Sequence, residues 1–410
     1  MWKCDSACMW SKNMIRTFLL CFVIYGLNFL GQTLIGEKRQ HYALEFTRVS
    51  CNIHPVGVAS AGKSSSSVFI DLQNDDFVRE ARDDRVQSSV SRESCRRAGQ
   101  GGLTRYCSVR NDPIESHRKK IQFRSTLDGT LQEAFVIEPD QPVSDATCLV
   151  INLHSWSADM NQRSDLEELV YDKNWFYLFP NFRGANKHPA ACGSQFAQQD
   201  IIDALEFVLE KYALDRNRVF LSGTSGGGHM TMLMAGKYPE RWCAACSWVG
   251  ISDLRLWHKK HQGGKYGKMI EQCCGGLPGE SATVDEEYRT RSPVIYLSDA
   301  NRLPLALFAG IKDGHQGSVP ISHSIEAFNV ICNANNDPPI SQEEMAQLST
   351  PNGRLLQPQA GDEGFDHSIG RKFYLRRTSK MAQLTIFEGG HEGIAAGTMS
   401  WFEKVLASQQ

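Results

Sequence analysis

The chain of 410 residues carries almost no net charge: 44 lysines and arginines stand against 46 aspartates and glutamates, a formal balance of −2. That excludes a bulk electrostatic pull toward nucleic acid or acidic surfaces. Basic residues do outnumber acidic ones between 79 and 124, but aromatic residues are not interleaved with them. No nucleic-acid partner is therefore expected. Repeats of solenoid or propeller period are not visible. The apolar run from Thr17 to Gly31 fits a signal-peptide h-region better than a full membrane span. Lys3, Lys12 and Arg16 precede it, as in a secretory signal. No clean A-x-A cleavage site follows. Residues 1–36 thus read as a cleaved signal peptide, as a membrane anchor through residues 14–35, or as sequence translated from an over-extended start. The first two readings place the protein in a secreted, periplasmic or cell-envelope location.

What is present is ordinary in bulk. Hydrophobic residues make up 41% and charged residues 22% of the chain, as in a globular protein. The length allows one large domain with an appendage, or two domains. Residues 37–114 include the run Ser64-Ser65-Ser66-Ser67 and, in their basic part, few large apolar side chains. They read as a linker-like segment. There are 13 cysteines, an odd number, so export would permit disulfides but leave at least one cysteine over. Cys243-x-x-Cys246 with Cys273-Cys274 has the residue types of a zinc site. However, Trp242 to Val249 is largely apolar and reads as a core strand in which cysteine serves as a small hydrophobe. Neither metal nor cofactor is expected.

From about residue 115 the pattern becomes organised. Lys120 to Ser125 and Gln132 to Ile137 flank Asp128-Gly129, a hairpin signal. Strands and helices then alternate. Strands are expected at 148–153, 175–180, 218–222, 244–251, 304–310 and 382–387, and helices at 165–172, 198–212, 228–237, 322–332 and 395–406. The strands are nearly continuous apolar runs, which implies a mostly parallel central sheet with helices on both faces. In such a sheet active sites gather at the carboxyl edge of the strands.

Gly223-Thr224-Ser225-Gly226-Gly227 matches G-x-S-x-G, and it follows an apolar strand and opens a helical run. Glycine neighbours let strand and helix pass closely while the serine occupies a strained turn. The stretch around Ser225 does not fit the phosphate-binding glycine patterns. A nucleophilic serine needs a base, and the base needs an orienting carboxylate. His391 follows the last strand in Glu388-Gly389-Gly390-His391-Glu392-Gly393. Asp313 and Asp253 each follow a strand; Gly314 and Gly317 give the Asp313 loop room to curl toward His391, whereas Asp253 suits a helix N-cap. A developing oxyanion requires two N–H donors. Gly226, after the serine, supplies one, and Leu153-His154-Ser155-Trp156-Ser157 supplies the other, with Trp156 as first choice and Ser155 as alternative.

Together these stretches resemble an α/β-hydrolase of the prolyl-oligopeptidase-like group, the peptidase S9 type. The resemblance is carried by Asn181-Phe182-Arg183-Gly184, Asp200-Ile201-Ile202-Asp203-Ala204, Asp215-Arg216-Asn217-Arg218-Val219, the Ser225 motif, Asp313-Gly314-His315 and Gly390-His391. It implies an α/β-hydrolase fold over 115–410 and a triad of Ser225, Asp313 and His391. It also puts Arg183 at a strand end near the site, where pairing with Asp200 or Asp203 is the expected role. Two features depart from the large enzymes of that group. The residues before 115 do not read as a β-propeller, and an insertion spans about 333–377, with a short helix at 342–348. Long loops of this kind often cover a site.

The expected activity is that of a serine hydrolase cleaving an ester, including a carbohydrate ester, through an acyl-enzyme. Trp248, Trp257 and His315 are the candidate substrate-binding residues, because aromatic platforms suit sugars. The segment 254–279, with Trp257 and two glycine pairs, reads as a lid or rim. The first alternative is a prolyl-oligopeptidase-like peptidase acting on peptides. A second is a catalytically inactive hydrolase fold used for binding.

Overall fold

The computed structural model describes residues 114–141, 144 and 147–409. The signal, anchor and linker expectations for residues 1–113 lie outside the described residues. The described part opens with the expected hairpin, β1 (Arg118–Arg124) and β2 (Leu131–Ile137), paired antiparallel from Arg118 opposite Ile137 to Arg124 opposite Leu131. Gly129 makes its turn at φ +70° and donates its N–H to the Ser125 carbonyl at 2.8 Å.

Alternation follows: β3 (Leu149–Leu153), α1 (Leu166–Asp172), β4 (Phe176–Pro180), α2 (Gln195–Tyr212), β5 (Val219–Thr224), α3 (Gly226–Lys237) and β6 (Ala244–Trp248). Three helices then stand together, α4 (Leu254–His261), α5 (Lys265–Cys274) and α6 (Ala282–Thr290). Next come β7 (Leu305–Gly310), α7 (Ser322–Asn335), α8 (Gln342–Leu348), β8 (Gly364–Asp366), β9 (Arg371–Ser379), β10 (Ala382–Phe387) and α9 (Ala395–Ser408).

All the described strands join one sheet in the order β1-β2-β4-β3-β5-β6-β7-β10-β9-β8. The pairings from β4 through β3, β5, β6 and β7 to β10 are parallel, and the outer pairings on either side are antiparallel. Successive side chains of a strand point to opposite faces. Leu149, Ile151 and Leu153 accordingly join the cluster built with α2, α3 and α7, while Cys148 and Val150 join the one built with α1 and α9. Both faces are covered, which is why the inner strands are apolar at nearly every position. This is the α/β-hydrolase fold, with the carboxyl edge of the parallel strands free to carry a site.

Several details differ from the expected pattern. β6 stops at Trp248 because Val249 turns out of the strand at φ +44°, an unfavourable conformation for a β-branched residue. α3 begins two residues earlier than expected, and α2 three residues earlier, where the Ser194 hydroxyl caps it by accepting from the Ala197 N–H. The 333–377 insertion has its expected helix, but its later part is strand. β9 pairs with β10, and β8 with β9, so this part of the insertion widens the sheet. Charge hides that strand in the sequence. Arg377 of β9 pairs with Asp362 at 2.9 Å and with Glu344 of α8 at 2.7 Å, and Arg376 pairs with Asp366.

Candidate active site

Ser225 sits between β5 and α3 at φ 61° and ψ −115°, outside the ordinary regions for a side-chain-bearing residue. Its surroundings leave no space for methyl groups. A Cβ on Gly223 would lie 2.4 Å from the Gly227 carbonyl, and one on Gly227 would lie 2.0 Å from the Leu153 carbonyl oxygen. The glycines therefore serve the close crossing of strand and helix, and that crossing holds the strained serine.

β10 ends at Phe387 and delivers His391 four residues later; β7 ends at Gly310 and delivers Asp313 three residues later. Adjacent parallel strands bring the two side chains together. The His391 Nδ1–H donates to Asp313 Oδ2 at 2.7 Å, and the Ser225 hydroxyl donates to His391 Nε2 at 2.8 Å. The carboxylate fixes the tautomer and leaves Nε2 free to take a proton. Asp313 is buried, and its Oδ1 accepts the N–H groups of Gly314 at 2.9 Å and Val319 at 3.1 Å. Its loop has no room for bulk at 317, where a Cβ would lie 2.2 Å from Asp313 Oδ1. The competing Asp253 caps α4, accepting from the Arg255 and Leu256 N–H groups at 2.8 and 2.9 Å.

The two residues expected to supply the oxyanion donors, Gly226 and Trp156, pack together at the elbow. A Cβ on Gly226 would lie 2.3 Å from the Trp156 nitrogen and 2.5 Å from its Cα, so the Trp156 backbone runs directly against the residue after Ser225. Ser155, the alternative donor, spends its N–H on Gln162 Oε1 at 2.8 Å. Its hydroxyl bonds the Thr224 carbonyl at 3.3 Å, and the Trp156 carbonyl accepts the Asn186 N–H at 2.9 Å. Those bonds fix the loop without a glycine at 155, whose φ is not positive.

The three residues expected to bind substrate do not line the site as expected. Trp248 is buried on the α9 face of the sheet, stacked on Phe308, with its Nε1–H bonded to Thr398 Oγ1 at 2.8 Å. It is a core residue, because β6 turns it away from the carboxyl edge. The exposed His315 ring meets the Ser349 carbonyl at 2.9 Å and ties the Asp313 loop to the insertion. Trp257 is buried too, edge-on to Trp156, and its Nε1–H donates to the Ser318 carbonyl at 2.9 Å. It supports the site from behind and offers no platform. Arg183 makes the expected pairing with Asp200, and also with Asp128 at 2.8 Å. Asp203 instead holds Thr126. The two cysteine pairs fall in separate apolar clusters, Cys243 and Cys246 against α9, Cys273 and Cys274 inside α4–α6.

One contact was not anticipated from sequence. Ser318 Oγ lies 3.2 Å from His391 Nε2, the same nitrogen that meets Ser225. A lone serine in a loop gives no sequence signal. The α4–α6 segment, read as a lid or rim from Trp257 and its glycines, reaches this loop. Trp257 Nε1 and His261 Nε2 both approach the Ser318 carbonyl, and Lys260 Nζ donates to the Gly314 carbonyl at 2.7 Å.

Comparison with known proteins points the same way. Residues 167–342 match the Prolyl oligopeptidase family, a stretch that includes Ser225 and Asp313. The chain is 26% identical over 174 residues to acylamino-acid-releasing enzyme 1 of Oryza sativa subsp. japonica, covering 38% of this chain and 21% of that protein. It is 30% identical over 129 residues to the uncharacterized peptidase YtmA of Bacillus subtilis (strain 168), covering 31% of this chain and 46% of that protein. A shorter match, 38% identity over 52 residues, is to feruloyl esterase B of Neurospora crassa, covering 13% of this chain and 18% of that protein. The matched stretches span less than half the length of each of these relatives. With the Ser225 elbow, its order before Asp313 and His391 and the sheet that carries them, the chain has an α/β-hydrolase fold whose residues 167–342 are similar to the Prolyl oligopeptidase family.

Proposed function

We propose that the chain is a serine hydrolase that cleaves ester or peptide bonds through an acyl-enzyme on Ser225. The observation that carries this reading is the continuous line from Asp313 Oδ2 through His391 to Ser225 Oγ, with bonds of 2.7 and 2.8 Å, beside the close packing of Gly226 on the Trp156 backbone. Ser225 Oγ attacks the acyl carbon as its proton passes to His391 Nε2. The carbonyl oxygen gains charge beside the Gly226 and Trp156 N–H groups. The leaving alcohol or amine takes the proton from Nε2, and water repeats the sequence to release the acid. No step requires a cofactor.

Ester cleavage remains the first substrate reading. The carbohydrate-ester refinement loses its aromatic-platform argument, since Trp248 and Trp257 are core residues. What supports it is the short likeness to a protein named feruloyl esterase B. Peptide cleavage is favoured by the longer likenesses to acylamino-acid-releasing enzyme and a peptidase.

Fluorophosphonate labelling of purified protein tests the common core of both readings. Wild type should label and Ser225→Ala should not, with its fold intact. Labelling that persists in Ser225→Ala would overturn the Ser225 assignment, and folded wild type that does not label would overturn the proposal and favour a binding role. A panel of p-nitrophenyl esters, feruloyl esters and N-acyl dipeptides then separates the substrate classes by kcat/KM.

A further inference from the structure

Two hydroxyls converge on one nitrogen in this site: Ser225 Oγ lies 2.8 Å and Ser318 Oγ 3.2 Å from His391 Nε2. The Ser318 position is built. Its carbonyl is held by the Trp257 Nε1–H at 2.9 Å and approached by His261 Nε2 at 2.7 Å, both from α4. The next residue, Val319, donates its N–H to Asp313 Oδ1 at 3.1 Å and is buried in the α4–α6 cluster. The backbone on both sides of the hydroxyl is thus fixed, one side to α4 and the other to the carboxylate that orients His391. Among the described residues, the Ser318 hydroxyl has no hydrogen-bond partner other than Nε2.

We infer that Ser318 is a functional partner of His391, accepting the Nε2–H while the imidazolium exists; this rests on the serine hydrolase reading. In the resting site Nε2 has one lone pair, and the Ser225 hydroxyl, at the shorter distance, donates to it. When Ser225 attacks, its proton moves to Nε2, its oxygen bonds the acyl carbon, and the carbonyl electron pair moves to the oxyanion between Gly226 and Trp156. Nε2 is now a donor, and Ser225 Oγ, committed to the new C–O bond, is a poorer acceptor. Ser318 Oγ is positioned to accept that N–H. A hydrogen bond from a charged donor is worth more than one between neutral groups, so the contact favours the state that follows attack. The tetrahedral carbon then expels the leaving group, which takes the proton from Nε2. Ser318 releases the N–H and keeps its own proton throughout. The same sequence applies when water attacks the acyl-enzyme. The benefit falls on the chemical steps, since substrate binding precedes the imidazolium.

Ser318→Val and Ser318→Thr are matched in shape and differ in the hydroxyl, and Ser318→Ala removes it with least crowding. The probes are a fluorophosphonate and p-nitrophenyl acetate, used with the full chain. The expected result is a loss of roughly tenfold or more in labelling rate and kcat for the Val and Ala variants, with KM little changed and Thr close to wild type. Equal rates in wild type, Ala and Val would overturn the inference while leaving the Ser225 assignment standing. Thr as slow as Val would also overturn it, because the effect would then be one of packing. Wild type that fails to label would remove the serine hydrolase reading and this inference with it. If Val is too crowded to fold, the comparison of Ala with Thr decides.

Discussion

Trp257 lies edge-on against Trp156, ring centroids 4.5 Å apart and planes at 65°, so α4 leans on the loop that carries the proposed second oxyanion donor. The same indole donates to the carbonyl of Ser318, whose hydroxyl meets His391. One buried side chain therefore braces both halves of the site. Trp257→Phe keeps a ring against Trp156 and deletes the hydrogen bond. A roughly 2- to 12-fold fall in kcat is expected, the equivalent of one neutral hydrogen bond of about 0.5–1.5 kcal/mol. Steady-state kinetics on a p-nitrophenyl ester check it; an unchanged kcat would make α4 a packing element alone.

Gly226 tests the proposed oxyanion pair more directly. A methyl group there would lie 2.3 Å from the Trp156 nitrogen and 2.5 Å from its Cα, so the loop after β3 must move away. Gly226→Ala should lower kcat by about 10²-fold or more, the usual cost of losing one such donor. Urea unfolding measured alongside shows whether the folded state survives. Full turnover in Gly226→Ala would place the oxyanion elsewhere.

The Arg183 network is predicted to matter for stability and to leave the chemistry alone. Arg183 donates to both oxygens of Asp200, at 2.5 and 3.0 Å, to Asp128 and to Ser125 Oγ. It does so from φ +76°, a conformation this bonding pins. Its hydrogen bonds to Asp128 hold that carboxyl well below the usual range. Asp200 is fully buried, so Arg183→Met would strand its charge at a cost of about 3–5 kcal/mol. The urea midpoint should fall accordingly, and folded protein should still label at Ser225. Asp200→Asn in the same chain should recover part of the loss.

Stability should also decline in mild acid. His229 and His323 are buried, and burial brings them down to about 4 and about 3; the neighbouring His229, His261 and Lys260 act on His323 in the same sense. In the unfolded chain both histidines titrate near 6.5. Below about pH 6.5 the unfolded chain binds protons that the folded chain refuses, so stability is complete above that pH and falls as pH drops toward about 4. Each histidine contributes at most about 1.4 kcal/mol per pH unit within that window. Urea unfolding at pH 7.5 and pH 5 measures the change, and His323→Gln should reduce it. Equal midpoints at the two pH values would contradict the assignment of both as buried neutral groups.

Local chemistry made much of this protein legible. Period and apolarity marked the parallel strands, because a strand buried on both faces has nowhere to put polar residues. The Ser225 motif was readable because its turn excludes side chains at fixed positions, and Asp128-Gly129 because a tight hairpin requires φ > 0. The order of Ser225, Asp313 and His391 followed from the strand-to-loop alternation. Strand β9 was hidden because Arg376 and Arg377 meet Asp366, Asp362 and Glu344, partners that only folding brings near. Trp248, Trp257 and His315 were misplaced for the same reason: residue type says that an aromatic is amphipathic, and only the direction of β6, α4 and the Asp313 loop says what each ring faces. Ser318 lies furthest beyond sequence. Its hydroxyl reaches His391 from 73 residues away, through a loop whose course is set by bonds to Trp257, His261 and Asp313. Sequence determined the fold and the order of the reacting groups, since both are written in near-neighbour patterns. Tertiary structure alone decided which hydroxyls, rings and charges meet at His391, since those contacts depend on the packing of elements distant in the chain.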